Sequence, residues 1–173
     1  MKRQFALLLL LAAACTTSIR DQLPPPWSEK TLAETQVPAV YTSEWQKAEN
    51  RGTCALLAFR DLGAGSGATP RAAEFSGGWA VAYDTADTRS AFGIAGTGAN
   101  SSDPSYASWP HIKSWADGST VGYGPEGGTG PNQLAYLRVS GQGCLYNVWS
   151  RLGREHLEHL LEELRFVATN DLK

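Results

Sequence analysis

His156 and His159 stand three residues apart in "HLEH", a spacing that puts two imidazoles about 60° apart on a helix at 100° per residue. Zinc is held by histidines at such one-turn spacing, and His111 could in principle complete the set. No cysteine or carboxylate motif accompanies them, so no metal and no cofactor is expected. "GIAGTGAN", 93–100, places glycines just after a strand pattern. A phosphate cradle also needs a helix to follow, and "SSDPSYASWP" is full of helix breakers. "GAGSG", 63–67, fails the nucleophile-elbow spacing because its serine follows the second glycine. Glu155, Glu158, Glu162 and Glu163 share a segment with Arg151, Arg154 and Arg165 at spacings that make surface ion pairs. Asp84, Asp117, Glu126 and His111 are acids and a base that only the fold could gather.

Aromatic residues carry the remaining signal, with six Trp and six Tyr in the chain. Trp79 and Trp149 fall in strand patterns and are expected in the core. Tyr106, Trp109, His111 and Trp115 flank a proline in "YASWPHIKSW", and Tyr123 sits in the neighbouring glycine-rich stretch. Rings on loops can stack on sugars or anchor a protein partner, so these five form the candidate ligand surface. The alternative is ordinary packing at a sheet edge.

The elements that would position these residues are mostly strands. "CALLAFR", 54–60, is a short apolar run; "GWAVAYD", 78–84, and "SAFGIAG", 90–96, alternate large and small residues across a five-residue turn. Their small-residue face predicts that something packs closely on it. "HIKSW" and "STVGYG" meet across Asp117-Gly118, and "QLAYLRV" and "CLYNVWS" flank "SGQG", giving two more hairpins. Glycine-rich stretches at 63–70 and 122–132 read as loops. Ser28 could cap a short helix over 28–36, and a terminal helix is expected over 151–167 with Ser150 as N-cap. Leu157, Leu160, Leu161 and Leu164 make its buried stripe, and Gly153 allows close approach at its start. The fold class that follows is α+β: a mainly antiparallel sheet of about six strands with a C-terminal helix packed on one face.

The N-terminus has a different character. Lys2 and Arg3 precede a short apolar run that ends in three alanines and Cys15, too short to span a bilayer and shaped like an export signal. This stretch resembles the lipobox of bacterial lipoproteins, with Ala12 where Leu is commonest. The resemblance implies that residues 1–14 are removed and that Cys15 carries lipid. Cleavage after Ala14 at an A-x-A site is the competing reading. Of three cysteines, Cys54 and Cys144 then remain, and export makes a disulfide between them the expected state, against two buried thiols. So paired, neither would serve as a nucleophile. Residues 15–36, with three consecutive prolines, read as a lipid-anchored tether, and 37–173 as a single globular domain.

Loss of Lys2 and Arg3 leaves 13 basic against 17 acidic residues, a formal charge of −4. That balance argues against nucleic acid as a partner. The membrane link is lipid on Cys15, where two or more acyl chains hold stably. Thr16, rather than Asp, after the lipidated cysteine implies outer-membrane sorting facing the periplasm of a Gram-negative cell. "CLYNVWSRLGREHLEHLLEELRFV" resembles the ends of uncharacterised proteobacterial lipoproteins and implies no activity. The expectation is a noncatalytic envelope lipoprotein that binds a protein partner, ahead of an envelope polymer such as a glycan. A cell-wall or surface-polymer hydrolase and a structural protein without a ligand are the alternatives.

Overall fold

The computed structural model describes residues 23–75, 77–98, 109–128 and 130–169. Its fold is α+β, with ten strands and two helices among these residues. The main sheet has seven antiparallel strands in the order β3 (Thr69–Ala72), β4 (Trp79–Asp84), β5 (Phe92–Thr97), β9 (Leu145–Ser150), β8 (Gln133–Arg138), β7 (Thr120–Pro125), β6 (His111–Ser114). The three hairpins expected from alternation and turn chemistry are β4–β5, β6–β7 and β8–β9. β3 arises where the glycine-rich loop 63–70 was expected to continue, and pairs with β4. The first residues of the second such stretch lie in β7.

Alternation gives the main sheet two faces. Trp79, Val81, Tyr83, Phe92, Ile94, Tyr146, Val148, Ala135, Leu137 and Val121 point inward and form one core with the helices. The helix α1 (Ala39–Lys47) brings Tyr41 and Trp45, four residues apart, onto β4, and the Tyr83 hydroxyl donates to the Tyr41 hydroxyl at 3.2 Å. No helical period in the sequence marks this segment. The second helix, α2 (Arg154–Glu162), buries His156, Leu157, Leu160 and Leu161 against β8 and β9.

The terminal helix is shorter than expected. It ends at Glu162, and Leu164–Ala168 is a strand, β10. β10 lies between β1 (Leu32–Ala33), with which it runs parallel, and β2 (Leu57–Phe59), with which it is antiparallel. Two neighbours with open hydrogen-bonding edges outweigh one more helical turn, and Leu164, Arg165 and Val167 are all buried between them. Ser150 is not the N-cap; Gly153 is, at φ +96°, a conformation that favours glycine.

The expected tether also needs correction. Residues 24–36 belong to the folded body: Trp27 is 4% exposed, packed edge-on against Trp115 at 4.9 Å, and its indole N–H donates to Asp117 at 3.3 Å. In place of a helix capped by Ser28 there are a 3-10 turn (Pro26–Ser28), strand β1 and a second 3-10 turn (Glu34–Gln36). Glu29 accepts from the buried Arg165 at 2.5 Å, which further fixes this strap to β10.

Cys54 and Cys144 are joined by a disulfide. Cys54 precedes β2, and β2 pairs with β10 rather than with the strand that follows Cys144, so the two cysteines do not lie on neighbouring strands. The bridge instead ties the turn at 50–54 to the entrance of β9, beside a bond from the Gly143 N–H to the Thr53 carbonyl at 2.7 Å.

Candidate functional site

The four described residues of the expected ligand surface, His111, Tyr123, Trp115 and Trp109, do not form one patch. His111 and Tyr123 are register partners on the inner face, stacked at 5.0 Å and 28°. The Tyr123 hydroxyl donates to Glu158 of α2 at 3.0 Å, and Arg154 lies 3.4 Å from His111 Nε2. Partial burial, and then the Glu158 carboxylate, raise the Tyr123 pKa, so the phenol stays a donor. Trp115 is 1% exposed beneath Trp27 and belongs to the core. Trp109 lies on the outer face, edge-on to Tyr136 at 5.3 Å, because Pro110 breaks the alternation before β6. Tyr106 and Cys15 lie outside the described residues.

The scattered acids are structural in two cases. Asp84 accepts from the Ser90 N–H at 2.7 Å and from Arg71 at 2.9 Å, and these bonds lower its pKa in that order. Asp117 accepts from the Ser119 N–H at 2.8 Å and closes the β6–β7 turn. His159 is 2.8 Å from Asp61, whose pKa is lowered first by the Gly63 N–H and then by His159.

A serine–histidine pair does exist, though it faces inward. His156 Nε2 is 3.0 Å from the Leu62 carbonyl, which can only accept, so Nε2 carries the proton and Nδ1 accepts from the Ser150 hydroxyl at 2.8 Å. The Ser150 oxygen accepts the Leu152 N–H at 3.0 Å. Both residues are buried, and burial lowers the His156 pKa. A carbonyl stands where a triad would have a carboxylate, and Ser150 is fully buried. The pair fixes the corner between β9 and α2.

Among the described residues, cavities of about 430 and 310 Å³ lie beside His111 and beside Tyr123, and a cleft of about 480 Å³ lies on the outer face, where aromatic rings line it. Its floor is Trp149 and Asn147 of β9 with Leu134 and Tyr136 of β8, and Phe75 forms one wall. Trp149 was expected in the core; it is half-buried here. Its register partner is Gly93, where a Cβ would come within 2.3 Å of the indole and 2.4 Å of the Val81 carbonyl. Only glycine lets the ring lie on the strand. The indole N–H donates to the Ser90 carbonyl at 3.3 Å, which fixes the ring's rotation, and Phe75 runs nearly parallel to it, 6.4 Å away at 19°. Asn147 is buried and donates to Thr97 at 3.4 Å.

Glu74, Glu126, Asn132 and Arg151 stand around these rings. Their side chains make no hydrogen bond or ion pair among the described residues. Of the sequence candidates among the described residues, only Glu126 lines the cleft. The signal for the rest was present in the small-residue face of β4 and β5: Ala80, Ala82 and Ala95 are fully buried there, and Trp149 lies against Gly93.

No family model, curated protein or solved structure matches the chain. Among the described residues, no three His, Cys, Asp or Glu side chains are grouped to hold a metal ion, and no helix is long and apolar enough to cross a membrane.

Proposed function

We propose that this chain is a lipoprotein of a Gram-negative envelope, anchored through lipid on Cys15, whose domain binds a protein partner or an envelope polymer in the outer-face cleft. The observation that carries the binding role is the cleft itself: a fixed indole, a parallel phenyl ring and charged side chains without a partner among the described residues. The short apolar signal ending at Cys15 supports the anchor, and the disulfide fits an oxidising compartment.

Two measurements test this reading. Mass spectrometry of the mature chain should find Cys15 at the N-terminus carrying diacylglyceryl; an unmodified Cys15 overturns the anchor. A photo-crosslinking residue at Leu134, within the cleft, should capture an envelope component in intact cells, whereas one at the exposed Lys30 should not. Equal capture at both positions, or none at either, overturns the cleft.

One observation favours a second reading. Glu74 and Glu126 line the same cleft, and a glycoside hydrolase uses two carboxylates that flank the scissile bond. Release of reducing sugar from envelope polysaccharide that disappears in both Glu74→Gln and Glu126→Gln would establish it over simple binding.

A further inference from the structure

We infer that the occupant of the outer-face cleft is an uncharged glycan of equatorially linked hexopyranose units, bound with a sugar face against the Trp149–Phe75 pair. This inference rests on the reading of the cleft as the binding site. Such a sugar has two kinds of surface, an apolar face of axial C–H groups and a rim of hydroxyls. The cleft has the matching arrangement, aromatic in its floor and wall and polar around them. An indole held by Gly93 and by the Ser90 carbonyl needs no ordering when the ligand arrives, so little conformational entropy opposes stacking.

The polar groups narrow the chemistry further. Glu74 and Glu126 are acceptors, Arg151 is a donor and Asn132 is both, which suits hydroxyl groups that donate and accept from the same oxygen. Two carboxylates against one guanidinium leave this rim net negative, so a phosphate-rich or uronate-rich polymer is repelled. A protein partner fits less well. Its site would carry a contiguous apolar centre, whereas among the described residues the large exposed apolar side chains are Leu23, Phe75, Ile112 and Leu152, and only Phe75 borders the cleft. The volume of about 480 Å³ lies in the range of small-ligand pockets, about 300 to 1,000 Å³, and takes a short oligosaccharide segment rather than a helix.

The test is titration of the full chain, in detergent, with the β-1,4-linked tetramers of N-acetylglucosamine and of glucose, followed by calorimetry. At least one should bind saturably, and Phe75→Ala, an exposed change, should weaken it about tenfold. Trp149→Ala should abolish binding, with circular dichroism confirming that the variant is folded. Glu126→Gln should weaken binding several-fold. Failure of both tetramers to bind at millimolar concentration overturns the glycan, as does binding that Phe75→Ala and Trp149→Ala leave unchanged. The Leu134 crosslink separates the two levels of failure. Capture of a protein there, with no glycan bound, leaves the binding role standing and removes the glycan; absence of capture removes both.

Discussion

Ser150 and His156 show how a residue pair that looks catalytic can be wholly occupied with structure. Each buried polar atom of the pair has a partner: hydroxyl to Nδ1, Nε2–H to the Leu62 carbonyl, and the Leu152 N–H to the hydroxyl oxygen. Ser150→Ala orphans both Nδ1 and that N–H, and a buried unsatisfied group costs about 1 to 3 kcal/mol; urea denaturation should show a loss of that size. His156 adds a pH signature. Burial holds its folded pKa below the ordinary 6.5, so the unfolded chain takes up the proton first as pH falls. Its contribution is complete above about pH 6.5 and is lost as pH falls from there through the folded value. The carboxylates Asp61 and Asp84, also lowered, act in a separate window below about pH 4. Thermal melts between pH 7 and 5 should therefore show a drop in midpoint for the native chain that is reduced in His156→Gln; equal drops would overturn the assignment.

At the level of elements, the disulfide fastens parts distant in sequence, bridging positions 90 apart. The chain-entropy model credits closure of such a loop with about 4 to 5 kcal/mol. Cys54→Ser with Cys144→Ser should lower unfolding free energy by about 2 to 5 kcal/mol in urea. The local turn bonds, including Gly143 to Thr53, should keep the fold of the variant intact. The three hairpins were legible because alternation and turn residues are local signals, and the α+β class follows from them. What escaped the sequence depended on partners far away. Leu157, Leu160, Leu161 and Leu164 carry one helical period, yet Leu164 belongs to a strand, because β1 and β2 supply the hydrogen bonds that a further turn would have made internally. α1 was hidden because only Tyr41 and Trp45 mark its inner side. Trp149 alternates like a core residue, and nothing local says that its side of the sheet holds the cleft. Gly93, directly opposite, was the better clue.

Over the whole molecule, the N-terminal strap changes what the proposed anchor can do. Were residues 15–36 all tether, 22 peptide steps from Cys15 to Val37 would let the domain stand roughly 80 Å from the bilayer at about 3.6 Å per residue. With Trp27 buried on Trp115, Leu32 paired with Val167 and Glu29 on Arg165, the fixed body begins near Leu23. Only eight steps then separate it from Cys15, a reach of at most about 29 Å. An anchored domain would thereby be confined to a thin layer next to the membrane, and the proposed glycan would have to pass through that layer. Neutron reflectometry of the lipidated chain on a supported bilayer should find a gap below about 30 Å between lipid headgroups and protein. Trp27→Ala removes the strap's largest buried side chain, a change that costs about 3 to 5 kcal/mol in a packed core, and should widen the gap by freeing the strap while the disulfide-bonded sheet stays folded. A native gap already well beyond 30 Å would mean that the strap is undocked at the membrane and that the anchor acts as a long leash.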